Sequence, residues 1–283
     1  MPTPPSPFQC KAQQQEAALE RQFLKGKRDA DLGVFCDLFS AKSGVAGQDG
    51  GVVTALLLKG LHQELFDVAV VVQKKEGYHA EVMVAENAAE VSAASGTCYL
   101  KVGVTQKLRE LVAAGKNRVA IVCTPCEAAA ARRIQQTLGE KCEITIIGLF
   151  CFEAFNREKL KAQLQAQLGV NLDKVEKMQV RSGKFTAQVG DGEVSCKVKD
   201  LDCAAEAACG FCEDFVSRLA DVSVGSVGSR AGYSTVIVRS EVGERLVAGH
   251  GFLVEAADAG EVARLCRFKR GRAERGFSGL NKR

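Results

Sequence analysis

Two cysteine pairs, Cys123/Cys126 and Cys209/Cys212, carry the strongest chemical signal in the sequence. With two residues between them, each pair can bring its thiolates to one metal centre without help from distant parts of the chain. The stretch between the pairs, Glu127 to Ala208, is far longer than in a zinc ribbon, so a zinc site would be assembled across the fold. Cys123-Thr124-Pro125-Cys126 also stands where a strand meets a helix N-terminus, a place that lowers thiol pKa and suits thiol–disulfide exchange. That reading leaves Cys209-Gly210-Phe211-Cys212 unexplained. A third alternative is a cubane of four irons held by four thiolates and tuned by burial and hydrogen bonds. For it, Gly210 allows a tight wrap and Phe211 excludes water. Some of the twelve cysteines are simply small apolar residues, and Cys10, Cys36, Cys142 and Cys266 are the expected ones.

The glycine-rich segments are less specific. No G-x-G-x-x-G occurs, so a standard dinucleotide-binding turn is not indicated. Gln48-Asp49-Gly50-Gly51 precedes a helical stretch, where free N–H groups and the helix dipole can hold phosphate, or simply start a helix. Gly225-Ser226-Val227-Gly228-Ser229 at a strand end has the same two readings. His62, His79 and His250 show no ligand spacing.

The elements that must position these residues belong to an ordinary globular chain. Its 283 residues allow a sizeable core, and 25% charged against 46% hydrophobic residues is average. A net charge of +4 does not point to nucleic acid. No run reaches the roughly eighteen apolar residues of a membrane helix. Met1 to Cys10 is proline-rich without an apolar signal core, so the expected location is cytoplasmic. There, clustered cysteines mean metal or redox chemistry rather than disulfides. With no Trp and three Tyr, a flavin would find few stacking partners.

Residues 11 to 32 read as polar and helix-prone. Helices are expected at Val52–Leu65, Thr105–Ala114, Glu127–Leu138 and Arg157–Leu168. Strands are expected at Asp67–Val72, Ala80–Ala85, Arg118–Cys123 and Ile144–Phe150. Short alternating strands follow at Val175–Val180 and Lys184–Val198, then Val222–Val227 and Ser234–Ser240, before a helical C-terminus. Strand–helix alternation predicts an α/β fold, a mixed sheet with helices on its faces, plus a smaller iron–sulfur cluster-binding lobe. The division expected is a mostly helical N-terminal extension (1–38), a cofactor-binding core (39–240), and a C-terminal helix with a basic tail (241–283). That tail carries Arg264, Arg267, Lys269, Arg270, Arg272, Arg275, Lys282 and Arg283 against Glu274. It reads as a solvated helix, or as a surface attracting an acidic ferredoxin-like partner or an anionic coenzyme.

Several strings together resemble a known family. They are Gln48-Asp49-Gly50-Gly51-Val52-Val53-Thr54, Ser95-Gly96-Thr97 with Tyr99, Thr124-Pro125-Cys126, and Gly148-Leu149-Phe150-Cys151. Cys209 to Phe215, Ala220 to Ser229, and Gly232 to Val236 with Arg239 complete the set. In this order they resemble the beta subunits of coenzyme F420-reducing hydrogenases and related dehydrogenases, over roughly Phe39 to Arg239. The resemblance implies FAD, one 4Fe-4S cluster, and coenzyme F420 as the substrate that exchanges hydride with the flavin. It implies Cys126, Cys151, Cys209 and Cys212 as cluster ligands, with Cys151 replacing Cys123 of the two-pair reading. For FAD it points to Gln48, Asp49, Gly50, Gly51, Thr54, Ser95, Gly96, Thr97, Tyr99, Lys101, Thr124, Pro125, Ser226, Gly228 and Ser229. Cys98, Cys123, Cys196 and Cys203 are extra cysteines without a role in it. The partners implied are other subunits of a hydrogenase-, formate dehydrogenase- or heterodisulfide reductase-like complex, ferredoxin-type proteins included. Members with other donors or acceptors exist, and a thiol–disulfide oxidoreductase using Cys123 and Cys126 is the rival from the residues alone.

Overall fold

The apolar runs near 68–72, 119–122 and 144–149 can bury both faces only inside a sheet covered on two sides. The computed structural model places them there and describes residues 7–280, with side chains described over 14–277. Helix α1 (Pro7–Phe23) leads to a hairpin of β1 (Lys27–Asp29) with β2 (Gly33–Phe35), then β3 (Asp37–Lys42). Next come α2 (Val52–His62), β4 (Val68–Lys75), β5 (His79–Ala85), α3 (Ala88–Ala93) and α4 (Val104–Ala113). They are followed by β6 (Arg118–Cys123), α5 (Pro125–Leu138), β7 (Glu143–Leu149) and α6 (Arg157–Leu168). A separate antiparallel sheet holds β8 (Lys177–Arg181), β9 (Lys184–Val189) and β10 (Gly192–Lys197). The chain returns through β11 (Val222–Gly225), β12 (Ser234–Val238), α7 (Glu241–Val247), β13 (Leu253–Glu255) and α8 (Ala259–Leu280).

The large sheet has eight strands in the order β13-β3-β12-β11-β7-β6-β4-β5. Its centre, β11-β7-β6-β4, is parallel, and its flanks are antiparallel. Alternate residues feed opposite cores, as the strand period of two requires. Ala69, Ala120 and Ile147 pack on one face with Leu56 and Phe66, while Val70, Ile121 and Ile146 pack on the other with Leu108 and Ala131. A third core, around Phe155, Leu160, Phe185 and Leu201, builds the smaller lobe. The mixed α/β architecture expected from the sequence is therefore present.

Topology decides which loops meet. The carboxyl ends of β4, β6, β7 and β11 share one end of the sheet. Because β12 opposes β11 and β3 opposes β12, the carboxyl end of β3 opens there too. Ligands bind at this end in open α/β sheets.

Three local expectations change. The helix-prone stretch 11–32 stops being helical at Phe23, because Gly26 takes φ +110° where a Cβ would lie 2.1 Å from the Phe35 carbonyl. The Asp29 carboxylate then accepts from the N–H groups of Asp31 and Leu32 at 2.8 and 2.9 Å and fixes the hairpin turn. Lys184–Val198 is two strands, turned at Gly190 with φ +55°. Residues after 241 are no appendage, since Leu253 to Glu255 pair with Lys42 to Ser40 and close the large sheet.

A buried polar network locks the sheet to the N-terminal hairpin. Asp221 accepts from the Ile146 N–H at 2.7 Å and the Ser240 hydroxyl at 2.6 Å, and pairs with Arg132 at 3.0 Å. Arg239 donates to the Ser223 hydroxyl at 2.7 Å and to the carbonyls of Leu32, Val34 and Val216 at 2.8, 2.9 and 3.1 Å. Among the described residues, no helix is long and apolar enough to cross a membrane.

Candidate functional site

Two adjacent parallel strands deliver the first two cysteines. The chain leaves β6 at Cys123, and Thr124-Pro125-Cys126 opens α5, with Pro125 pre-set for the first helical turn. Cys126 is exposed there. Its sulfur lies 3.4 Å from the Thr124 hydroxyl and 3.8 Å from the Lys101 ammonium. Lys101 also pairs with the buried Glu127 carboxylate at 3.2 Å. Burial opposes the Lys101 charge, but Glu127, Cys126 and Cys151 outweigh it and raise its pKa. The chain leaves β7 at Leu149, and Cys151 follows, its N–H donating to the Phe215 carbonyl at 2.9 Å.

A ladder of main-chain bonds draws in the second pair. The N–H groups of Phe155 and Lys101 donate to the carbonyls of Tyr99 and Phe155 at 2.8 and 3.0 Å. Glu206 N–H donates to Ala154 O at 2.9 Å. This holds 99–101, 154–156 and 204–206 side by side and sets Cys209 next to Ala154, whose N–H donates to its sulfur at 3.4 Å. The Cys212 sulfur lies 3.6 Å from the Asp214 carbonyl.

Cys151 lies within electrostatic reach of the other three thiols. Burial pushes its pKa up to about 12; Lys269 opposes this, while Cys209, Cys212 and Cys126 reinforce it. The Cys212 thiol is also raised, by burial first, with Lys269 again opposing and Cys126 adding. Among the described residues, no three His, Cys, Asp or Glu side chains converge on a single ion. Cys151 with three further thiols in its electrostatic reach, an ammonium beside Cys126 and an N–H donor on the Cys209 sulfur form a donor set that would suit a cubane.

Cys123 stands elsewhere. It is 3% exposed in the apolar cluster with Ile121, Ala128 and Ile144, and burial raises its thiol well above the ordinary value. Thiol exchange through Cys123 and Cys126 would need the Cys123 thiol, raised and sealed inside the core, as one of its two partners. Cys142 and Cys266 are buried as expected, whereas Cys36 is only half-buried and donates to the Lys25 carbonyl. Cys98 and Cys196 pack against the small-lobe core, and Cys203 is exposed. Cys10, Lys282 and Arg283 lie outside the residues whose side chains are described.

The expected FAD segments divide. The Gln48 and Ser95 loops line a cleft of about 290 Å³, together with Gly47, Gly96, Thr97, Lys74 and Lys177. Ser95 donates to the Ala46 carbonyl at 3.3 Å, and the Gln48 amide reaches across to Met178 O at 3.1 Å, tying this cleft to the small lobe. Burial raises the Asp49 pKa, opposed by Arg181 and Lys177. Thr54 is buried on α2. Gly50 is needed by the fold itself, since a Cβ there would lie 2.4 Å from Ala41 O and 2.8 Å from Ser234 N. Gly51 caps α2 at φ +66°.

The other predicted residues are partly spoken for. The Tyr99 hydroxyl accepts from Val180 N–H at 3.1 Å. Lys101, Thr124 and Pro125 stand beside Cys126 rather than among the residues lining the cleft. Ser226 is half-buried beyond β11. Gly228 N–H donates to Glu261 at 3.1 Å, and the Ser229 hydroxyl bonds Thr235 at 2.7 Å. Lys74 and Lys177 were not legible as site residues, because a lysine at the end of a strand carries no motif.

The basic C-terminal helix is also engaged inward. Lys269 is 1% exposed and donates to the carbonyls of Cys151 and Asp214 at 2.5 and 2.8 Å. Arg272 donates to Phe152 O at 2.7 Å, Cys209 O at 3.0 Å and the Glu153 carboxylate at 2.6 Å. Arg267 and Arg270 pair with Asp31. At Lys269 and Arg272 the solvated-tail expectation gives way to packing on the cysteine loops, and Arg267 and Arg270 reach the N-terminal hairpin instead. The sequence did hold a signal: Val262, Cys266, Lys269 and Ala273 follow a 4-3-4 spacing, and all are buried.

Comparison with known proteins places this arrangement. The family described as "Coenzyme F420 hydrogenase/dehydrogenase, beta subunit" matches through its N-terminal part at residues 39–109 and its C-terminal part at 116–256. The chain is 36% identical over 211 residues to a subunit of the F(420)H(2) dehydrogenase of Methanosarcina mazei, covering 73% of this chain and 60% of that protein. It is 34% identical over 242 residues to the coenzyme F420 hydrogenase subunit beta of Methanothermobacter thermautotrophicus, covering 81% and 84%. A chain from the solved F420-reducing [NiFe] hydrogenase complex of Methanosarcina barkeri has a TM-score of 0.82 at 26% identity, covering 88% of this chain and 93% of that one.

Proposed function

The chain belongs to the family of coenzyme F420 hydrogenase/dehydrogenase beta subunits, and we propose that it carries electrons between one 4Fe-4S cluster and FAD in a larger redox complex, with coenzyme F420 as the substrate. When bound, the cluster would supply one-electron transfer and the flavin the pairing of two electrons for a two-electron substrate. The observation that carries this reading is the gathering of Cys126, Cys151, Cys209 and Cys212 at the carboxyl end of the parallel strands.

Each residue then has a task. The four thiolates would bind iron, and the Ala154 N–H already donates to the Cys209 sulfur at 3.4 Å. Lys101 stands beside Cys126 and offsets its negative charge. Phe150 against Phe215 and Phe211 against Phe277, with centroids 5.4 and 5.2 Å apart, keep water from the ligand loops. The Gln48 and Ser95 loops would take FAD, their small residues letting backbone approach it, while Lys74 and Lys177 would face its phosphates. Gly228 and Ser229 stand outside the residues lining that cleft and would not bond the cofactor, since their polar groups already have partners.

The test is anaerobic purification with partner subunits, followed by iron, sulfide and flavin analysis and an acceptor screen that includes coenzyme F420. A yellow-brown protein holding iron and sulfide in equal amounts, with flavin, and reducing coenzyme F420 is expected. A colourless, zinc-containing preparation would overturn the reading. A loaded protein active only with other acceptors would overturn its coenzyme F420 part.

A further inference from the structure

Helix α8 begins after residue 256, where the second matched family segment ends, and it grips the cysteine loops. Its Gly276 packs so closely that a Cβ would lie 2.6 Å from the Gly210 carbonyl, between Cys209 and Cys212. Arg272 bonds the carbonyl of Cys209, and Lys269 bonds those of Cys151 and Asp214. Loops some sixty residues apart in sequence are thereby fastened to one helix.

Lys269 is unlike the other basic residues of α8. Arg267 and Arg270 pair with Asp31, and Arg272 with Glu153. The two acceptors of Lys269 are neutral carbonyls, so neither hydrogen bond cancels its charge. A buried ammonium is costly unless negative charge faces it. The groups in its surroundings are the Cys151 and Cys212 thiols, the Arg272–Glu153 pair, and Asp214, whose carboxylate accepts from Val216 and Arg218 N–H. Thiolates ligating a cubane would add negative charge facing Lys269, beside that of the Asp214 and Glu153 carboxylates.

We propose that Lys269 is a positioning residue that ties the Cys151 and Cys212 loops together and, through its buried positive charge, raises the reduction potential of the cluster. The proposal rests on the cluster reading above. Reduction adds an electron to the cluster, so a fixed cation nearby favours the reduced form, and removing that cation must lower the potential. At the separations of neighbouring buried groups, one buried charge changes the reduced-to-oxidised ratio by about tenfold. For a one-electron couple that is about 59 mV.

The test uses the full chain, purified anaerobically with its partners, and compares Lys269→Met, Lys269→Arg and Arg264→Met with the unaltered protein. Arg264 is an exposed basic residue of the same helix and serves as control. Iron and sulfide content and an EPR-monitored redox titration are the readouts. The expected result is a potential about 59 mV lower for Lys269→Met, with Lys269→Arg and Arg264→Met close to the unaltered value. If Lys269→Met loses its cluster while Lys269→Arg keeps it, a cation is required at this position and the positioning role stands. An unchanged potential in an iron-loaded Lys269→Met protein overturns the proposal. So does a Lys269→Arg protein that behaves like Lys269→Met. Failure of the unaltered protein to hold any iron would instead refute the cluster reading itself.

Discussion

The Asp221 network at the amino end of β11 and the four-cysteine site at the carboxyl end of the parallel strands both gather polar groups, yet they are built in opposite ways. Around Asp221 the polar atoms are spent on one another and on main-chain partners: carboxylate on Arg132, Ser240 and Ile146, guanidinium of Arg239 on a hydroxyl and three carbonyls. Around Cys151 its own thiol and that of Cys212 are raised by burial first and then by neighbouring thiols, and Lys269 satisfies its protons on neutral carbonyls. A network that consumes its own charge holds a fold together. One that leaves thiols and a lysine without charged partners of their own is where the proposed cluster would bind.

Breaking the first should cost stability and spare the guest. Asp221→Ala strands Arg132 in the core and is expected to destabilise the protein by about 3–5 kcal/mol. Chemical denaturation measures this, and the protein that remains folded should keep its iron. Loss of iron without loss of stability would erase the distinction between the two regions.

Breaking the second should do the reverse. Cys126→Ser, Cys151→Ser, Cys209→Ser and Cys212→Ser should each lose most of the iron, while metal-free stability moves by about 1 kcal/mol or less. Cys123→Ser should do the opposite, costing about 1–3 kcal/mol for a hydroxyl in an apolar cluster and leaving iron content near normal. If Cys123→Ser empties the protein of iron and Cys151→Ser does not, the two-pair ligand set is right.

The smallest effect belongs to the cleft. Lys177→Glu reverses a charge on its wall and should weaken FAD binding about tenfold, about 1.4 kcal/mol, read by flavin fluorescence during dialysis. Gly50→Val is a poorer probe than the sequence suggests, because its Cβ would strike main-chain atoms of β3 and β12 whether or not a cofactor is present. Unchanged FAD retention in Lys177→Glu would remove the phosphate role from that lysine.

Much of the fold was readable because apolar strands and amphipathic helices repeat with distinct periods. Arg118–Cys123 and Arg157–Leu168 have the bounds that their patterns predict. The motif residues were readable as a set but not by role. Asp221, Ser223 and Arg239 sit among family-like strings with the same prominence as Cys209 and Cys212, yet they serve the core. Lys269 was hidden among its basic neighbours, since composition does not say which face of a helix is covered.

The sequence by itself determined which chemistry was available: four thiols in recognisable surroundings, small residues in the loops, and strands ordered to form a mixed sheet with a parallel centre. Local periodicity and residue type set these things, and both are properties of short stretches of chain. The tertiary structure alone decided that Cys123 turns into the core while Cys126, three residues later, turns out of it. It also decided that Cys151 comes within reach of Cys209 and Cys212, and that a lysine in a basic helix is sealed against their loops. These outcomes depend on the register of adjacent strands and on the packing of α8 against distant carbonyls, which only long-range contacts specify.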